Sequence, residues 1–138
     1  MKRLLGLDIG NKTIGVSVSD PLGITAQGVT TIIRASKAKD VEALRALIDE
    51  YDVEKLIVGL PKNMNNTLGF QAQRTMNYAD YLKEALDMEI IFVDERLTTS
   101  RAEAVLMQGG VRRENRKKHV DKLAAVLILQ TYLDQLPL

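Results

Sequence analysis

The amino-acid sequence predicts an α/β fold: a five-stranded mixed sheet, in which a three-strand antiparallel meander is joined to two parallel strands, with helices on both faces. The opening of the chain consists of short apolar segments separated by turn residues, which is typical of a meander. Farther along, segments with helical periodicity alternate with apolar strands, which implies parallel pairing through right-handed crossovers. The 138 residues and the 46% hydrophobic content fit one domain, residues 1–138.

Three strands and two tight turns make up the predicted meander. Residues 3–9 are almost all apolar, as in a strand covered on both faces, whereas residues 13–19 alternate between apolar and small side chains. Residues 10–12 form a predicted tight turn between them. Residues 20–23 carry Pro and Gly where a type I turn prefers them, so residues 27–33 can add the third strand.

The period of the apolar pattern changes after the meander. Val41, Leu44 and Ile48 recur at steps of three and four residues, which predicts an amphipathic helix. The same reasoning applied farther along the chain predicts four elements in order. They are a helix at residues 37–51, a strand at 55–60, a helix at 69–86 and a strand at 89–93.

The C-terminal part of the chain is predicted to contain two more helices. Residues 100–103 have the spacing of a capping box, and the helix that they begin ends at Gly109. The last helix starts near His119 and is apolar on almost all sides, so we expect it to be buried on most faces. Its small residues 124–125 leave room for close approach to the sheet. We expect residues 109–118 to be the least structured part of the chain.

Composition narrows the class of protein. No apolar stretch approaches the roughly 18 residues of a membrane-spanning helix, and the first residues run directly into charged Asp8 rather than into a signal-like segment. The chain has no Cys, which excludes disulfides and thiolate metal sites. These observations predict a soluble, cytoplasmic protein, which we expect to be a monomer or a weak homodimer.

Three carboxylates stand at the ends of apolar elements. Asp8 lies near the end of the first strand, Glu95 follows the fifth strand, and Asp121 opens the apolar part of the last helix. Acidic groups that converge at one end of a buried sheet, with no Cys and one His in the chain, predict an all-oxygen site for Mg²⁺ or Mn²⁺. Sites of this kind hydrolyse phosphodiester bonds.

Each of these acids also has a structural interpretation. Asp8 could cap the turn that follows it, and Asp121 could be an ordinary helix-start residue favoured by the macrodipole. Asp94 competes with Glu95, because alternation along a strand points neighbouring side chains to opposite faces and the spacing does not choose between them. A surface ion-pair cluster with Arg96 is a further interpretation of this pair.

Positive charge is concentrated at residues 112–119. This segment carries five positive side chains and one negative, whereas the net charge of the chain is +1, so the remainder is net negative. Such a cluster beside candidate metal ligands can orient a phosphate backbone, and a solvated loop is the alternative. His119 receives no role. The candidate nucleic-acid-binding residues are Lys12, Asn65, Arg96, Arg112, Arg113, Arg116, Lys117 and Lys118.

Four sequence blocks carry a resemblance to a known family that covers essentially the whole chain. They are Leu5-Gly6-Leu7-Asp8-Ile9-Gly10 with Lys12-Thr13-Ile14-Gly15, Val58-Gly59-Leu60-Pro61, Asp94-Glu95-Arg96-Leu97-Thr98-Thr99, and Lys118-His119-Val120-Asp121 with Ala124-Ala125. In this order they resemble the YqgF-type nucleases, described as pre-16S rRNA processing enzymes and as Holliday-junction-resolvase-like proteins. The resemblance implies an RNase H-like fold with Asp8, Glu95 and Asp121 as catalytic metal ligands, which selects Glu95 over Asp94. One departure is Asn66, where the family usually has Gly.

The residues and the resemblance together predict a Mg²⁺- or Mn²⁺-dependent nuclease that processes the 5′ end of pre-16S rRNA in ribosome biogenesis. The expected mechanism is two-metal hydrolysis, in which Asp8 bridges ions about 4 Å apart. The 4% aromatic content disfavours a base-stacking platform, so recognition should depend on backbone shape and charge, which suits structured RNA or branched DNA. Ribosomal precursor particles are a further expected partner. The alternatives are a Holliday-junction resolvase, a non-catalytic nucleic-acid-binding or ribosome-assembly factor, and an ATPase related to actin.

Overall fold

The computed structural model describes residues 2–61, 69–94 and 113–136, with the backbone alone for residues 113–121. The predicted helix at residues 100–109 lies outside the described residues, and each of the other predicted elements is present. The elements, in chain order, are β1 (Arg3–Ile9), β2 (Thr13–Ser19), β3 (Ala26–Ile33), α1 (Lys37–Tyr51), β4 (Val53–Leu60), α2 (Phe70–Leu86), β5 (Glu89–Asp94) and α3 (Arg113–Gln135).

The five strands form one sheet in the order β3-β2-β1-β4-β5. β1 and β3 are each antiparallel to β2, whereas β4 runs parallel to β1 and β5 runs parallel to β4. The predicted mixed sheet, a meander joined to two parallel strands, is therefore confirmed. β1 is the central strand, which explains why its sequence is apolar on both sides.

Two strands begin earlier than predicted because of contacts at their first residues. β4 begins at Val53, since Asp52 takes a left-handed conformation with φ of 54° that ends α1 and turns the chain into the sheet. Val53 then pairs with Arg3 of β1. β3 begins at Ala26, whose amide donates to the side-chain oxygen of Gln130 at 2.9 Å. Neither contact is visible from local periodicity.

The two faces of the sheet are covered by different helices. On one face, α1 and α2 pack on large side chains of the central strands, including Leu5, Leu7, Leu56 and Val58. On the other face, α3 covers a smaller apolar cluster. That cluster comprises Leu4, Ile57, Val93, Ile128, Leu129 and Leu133. We refer to these as the α1/α2 face and the α3 face.

The predicted close approach of the last helix to the sheet is confirmed at Gly6. A Cβ atom added to Gly6 would lie 2.8 Å from the Cβ of Leu129 and 3.0 Å from the carbonyl oxygen of Ala125, and it would also meet Ser17 Oγ. The buried Ser17 hydroxyl donates to that same Ala125 carbonyl at 2.7 Å. Helix and sheet therefore meet through small residues, with little side-chain volume between their backbones.

The prediction for the start of the last helix is wrong. α3 begins at Arg113 rather than near His119, so residues 113–118 are helical and not the loop that we expected. Their Arg, Lys and Glu side chains are good helix formers, and this preference outweighs the absence of apolar periodicity there. The buried stripe of α3 is also narrower than expected, because Val126 and Leu127 are only half-buried. Within the described ranges, no helix is long and apolar enough to cross a membrane.

Candidate active site

The carboxyl ends of the three parallel strands meet at one edge of the sheet, which places Asp8 there. Leu7 of β1 pairs with Val58 of β4, and Val58 pairs with Phe92 of β5, so Asp8 lies one residue nearer to this edge. Asp8 is half-buried and has polar partners. Ligands in open α/β sheets bind at this type of edge, where strand ends leave a crevice.

Strand alternation separates Asp8 from Asp94. Asp8 follows Leu4 and Gly6 on the α3 face, whereas Leu5 and Leu7 occupy the other face. Val93 belongs to the cluster under α3, so Asp94, the next residue, lies on the α1/α2 face and is exposed. The two aspartates therefore stand on opposite faces of the sheet. Glu95, the alternative to Asp94, lies outside the described residues.

The backbone of α3 runs toward Asp8. Leu4 shares a cluster with Leu133, and Gly6 lies against Leu129 and Ala125, so the helix is antiparallel to β1. Its earlier residues therefore lie nearer to the carboxyl end of β1. Residue 121 comes one helical turn before Ala125, on the stripe that faces the sheet. The helix thus places the Asp121 backbone toward the strand end that carries Asp8.

The turn after Asp8 is held by an arginine that the sequence did not single out. The Gly10 amide donates to the carbonyl oxygen of Thr13 at 2.8 Å, which closes the predicted tight turn. Arg34 Nη1 donates to the Gly10 carbonyl at 2.6 Å, and the Arg34 amide donates to the Lys12 carbonyl at 2.9 Å. Lys12 is exposed on this turn, so its charge is available at the same edge as Asp8.

A polar cleft of about 210 Å³ opens beside this turn. We call it the basic cleft, because it brings together three cationic side chains: Arg34 just before α1, Lys37 at the start of α1, and Arg74 in α2. Its lining includes Gly10, Asn11, Arg34, Lys37, Arg74 and Tyr78. Arg34 and Lys37 are close together in the sequence, but Arg74 belongs to another helix, so the sequence alone does not show that the three cations meet.

A buried carboxylate, Asp40, holds two of the residues that line the basic cleft. Asp40 is 3% exposed and accepts from the Tyr78 hydroxyl at 2.8 Å and from the Ala35 amide at 3.1 Å. Arg34 Nε lies 3.7 Å from the same carboxylate, and its guanidinium stacks 4.2 Å from the centre of the Tyr78 ring. Burial, and then the hydrogen bond to Asp40, raise the pKa of Tyr78, so its hydroxyl remains a donor across the physiological pH range.

The structure shows only part of the predicted site. Asp8 is the one predicted metal ligand whose side chain is described, and the described residues contain no group of three or more potential ligand side chains. Glu95, Asn65, Arg96 and Arg112 lie outside the described residues. Backbone positions alone are given for Arg113, Arg116, Lys117, Lys118 and Asp121, all in α3.

The fold is of the RuvC and RNase H-like class, as predicted. It is similar to a T. thermophilus RuvC structure in complex with a Holliday junction substrate, with a TM-score of 0.60 and 12% identity over 98% of both chains. It is also similar to a Fowlpox virus resolvase in complex with Holliday junction DNA, with a TM-score of 0.57 and 12% identity over 96% of this chain and 97% of the other. At these identities the similarity establishes the fold alone.

Sequence comparison defines the family. Residues 2–135 match the family model described as "RuvX: Holliday junction resolvase". A protein of Clostridium botulinum (strain Eklund 17B), named "Putative pre-16S rRNA nuclease", is 54% identical over 97% of this chain and 98% of its own length. A Clostridium kluyveri protein of the same name is 52% identical with the same coverage. This chain therefore belongs to the RuvX family, and the resemblance inferred from its four sequence blocks is confirmed.

Proposed function

We propose that this protein is a metal-dependent nuclease that hydrolyses phosphodiester bonds and processes the 5′ end of pre-16S rRNA during ribosome biogenesis. The observation that carries the proposal is Asp8, a half-buried carboxylate at the carboxyl end of the central parallel strand, on the face covered by α3. A carboxylate at this strand end offers hard oxygen donors, which are the donors that divalent cations prefer. Membership of the RuvX family and the names of the clostridial relatives support the choice of reaction and substrate.

We assign Asp8, Glu95 and Asp121 as the residues that would hold Mg²⁺ or Mn²⁺. The backbone of residue 121 stands on the α3 stripe that runs toward the strand end of Asp8, and the position of Asp94 on the other face supports the choice of Glu95 made from the family resemblance. All three offer carboxylate oxygens, the donors that hard divalent cations prefer. When bound, divalent cations supply an activated water molecule and stabilise the charge on the leaving oxygen.

Substrate binding is proposed to rest on backbone charge rather than on base recognition. Lys12 is exposed on the turn that follows Asp8, where it can contact a phosphate beside the scissile bond. The cations of residues 112–118 are proposed to hold neighbouring phosphates, because α3 carries most of them toward the same edge. Contacts of this kind are independent of sequence and weaken as salt is raised.

The first prediction tests the assignment of Asp8. Asp8→Asn keeps the size of the side chain but removes its charge. Mg²⁺-dependent cleavage of a pre-16S rRNA fragment should fall at least about 100-fold, because loss of a residue that only supports a metal ligand already costs about 10–100-fold. Asp94→Asn is the matched control, because it removes the same charge at the same edge on the opposite face. Cleavage rates are measured with wild type and both variants, with EDTA as the metal-free reference.

Two outcomes would contradict this assignment. Undiminished cleavage by Asp8→Asn would remove Asp8 from the mechanism, and an equal loss in Asp94→Asn would show that the two faces do not differ. RNA binding that persists in EDTA, without cleavage of any substrate in Mn²⁺, would instead identify a non-catalytic binding factor.

The second candidate function is resolution of Holliday junctions, which the description of the matching family model favours. The same acids and the same backbone contacts would serve branched DNA, since metal-dependent hydrolysis needs only a positioned phosphodiester. Parallel assays on the rRNA fragment and on a four-way DNA junction separate the two substrates. Faster cleavage of the junction, in paired symmetrical cuts, would replace the rRNA assignment.

A further inference from the structure

The basic cleft has no role in the site described so far, although it lies next to that site. Gly10 and Asn11, which line it, follow Asp8 by only two and three positions, but the cleft opens on the α1/α2 face. A nucleic-acid strand that crosses the edge of the sheet would therefore meet Asp8 on one side and the cleft on the other. We propose that the basic cleft binds a backbone phosphate of the nucleic-acid substrate, at a position other than the cleaved bond.

The charge of the cleft supports an anionic ligand. Arg34, Lys37 and Arg74 contribute three positive charges, and the carboxylate in contact with this group is the buried Asp40, which already serves Arg34 and Tyr78. Within the described part of the chain, neither Lys37 nor Arg74 forms an ion pair. The cleft therefore has an excess of positive charge, which a phosphate would neutralise.

Two of the cations form cation–π contacts that leave their N–H groups available for a ligand. Lys37 Nζ lies 5.0 Å from the centre of the Tyr81 ring, and the Arg74 guanidinium carbon lies 5.6 Å from the centre of the Phe70 ring. Cation–π contact limits the rotamers of a side chain without occupying its N–H donors. Both residues are exposed, so their donors can reach a ligand from solvent.

Arg34 has a different task, which is to position the cleft. Its guanidinium is committed to the Gly10 carbonyl, the Asp40 carboxylate and the Tyr78 ring, and the side chain is only 24% exposed. It therefore joins the turn after Asp8 to the wall of the cleft. A phosphate in the cleft would be held at a fixed place relative to Asp8, because Arg34 contacts both the turn after Asp8 and the wall of the cleft.

The size of the cleft favours a backbone unit over a complete nucleotide. About 210 Å³ is below the volume of roughly 300 to 1,000 Å³ that is typical of pockets for whole small molecules. Asn11, Gln71 and Asn77 line it as well and offer amide groups, which hydrogen-bond to phosphate and sugar oxygens. A free phosphate compound shares this chemistry and is the alternative source of the ligand.

The test compares two double variants with equal charge. Lys37→Gln with Arg74→Gln removes two of the three cleft cations and leaves Arg34 in place. Lys39→Gln with Lys83→Gln removes two exposed cations from the same helices, away from the cleft. Binding of a pre-16S rRNA fragment is measured in EDTA over a series of KCl concentrations. The cleft variant should bind at least about tenfold more weakly, with a salt slope reduced by about one to two, while the control keeps the wild-type slope.

A conservative variant and a competitor complete the design. Lys37→Arg with Arg74→Lys keeps both charges and should bind like wild type, and thermal unfolding checks that every variant folds. Equal RNA affinity and equal salt slope in the cleft and control variants would overturn the proposal. If inorganic phosphate nevertheless bound to the wild-type cleft, the ligand would be a free phosphate compound and not the nucleic-acid backbone. The inference rests on the proposed nuclease function. Binding in EDTA does not require cleavage, so the RNA-binding assay tests the cleft, whereas the cleavage assay with Asp8→Asn tests the mechanism.

Discussion

The two faces of the sheet are packed in different ways. One face carries the main apolar core, and the other carries a smaller apolar cluster and Asp8. The α1/α2 face packs large side chains such as Leu5, Leu7 and Leu44, each fully buried. The α3 face has a smaller apolar cluster, and at Gly6 small residues reduce it to a thin layer in which the Ala125 carbonyl contacts Ser17 directly. Asp8 stands on this α3 face, and the backbone of α3 runs toward the strand end that carries it.

The charged groups of the two faces are also placed differently. On the α3 face, Asp8 is half-buried at the carboxyl end of β1, and α3 runs antiparallel to that strand. On the α1/α2 face, the thick apolar layer encloses a charged group, Asp40, and the cations of the basic cleft lie at the margin, where Arg34 reaches the Asp40 carboxylate.

The largest stability effect is expected on the α1/α2 face. Leu44→Ala should lower the free energy of unfolding by about 2–5 kcal/mol, because it removes a fully buried side chain from the main core and leaves a cavity. Chemical denaturation of wild type and variant measures the change. A loss below about 1 kcal/mol would show that the core on this face can collapse around the missing volume, which would contradict the thick, close-packed layer.

A smaller loss of stability is expected on the α3 face, where the cause is an added group and not a cavity. Gly6→Ala should cost about 1–3 kcal/mol, because the added methyl group meets Leu129, Ser17 and the Ala125 backbone, none of which is a flexible chain end. Gly28→Ala is the matched control on the neighbouring part of the sheet. There the methyl group would meet Lys122 at 3.0 Å, and that long side chain can move aside.

The pair of glycine variants sharpens the comparison between the faces. We expect Gly28→Ala to stay within about 0.5 kcal/mol of wild type in the same denaturation assay, as for an ordinary surface substitution. If Gly6→Ala were equally neutral, the helix would not be in backbone contact with the sheet. The account of the α3 face as a thin layer would then fail.

The smallest effect is expected in the turn between β2 and β3, which belongs to neither layer. Hydrogen bonds to Asp20, first from the Thr25 amide and also from the Ile24 amide, lower the pKa of its carboxyl below the ordinary value of 3.8. Because the folded state holds the proton less tightly, the contribution of Asp20 to stability is present above pH 3.8 and is lost as the pH falls through the lowered pKa.

Thermal unfolding of wild type and Asp20→Asn over a pH series measures this contribution. The melting temperature of wild type should exceed that of the variant by a small constant amount near neutral pH. The difference should narrow below pH 3.8, since Asn does not titrate. A difference that stays constant down to the most acidic condition would show that the turn does not distinguish the charged carboxylate.

Most of the fold was predictable because its signals are local. Apolar alternation, a change to helical period and turn residues such as Gly23 give β1 to β5, α1 and α2 nearly at their observed bounds. The start of α3 was not predictable in this way, because residues 113–118 are charged and their helix-forming preference carries no apolar pattern. The capping-box helix and Glu95 remain predictions.

What the sequence determined by itself is the order of the elements, the family and the candidate acids, since each depends on residues that are close together along the chain or recur in fixed order. Only the tertiary structure decided that Asp8 and Asp94 face opposite sides, and that Arg34, Lys37 and Arg74 surround one cleft. The physical reason is that a face and a cleft are relations between elements, set by strand pairing and helix packing. A pattern read along one segment does not contain them.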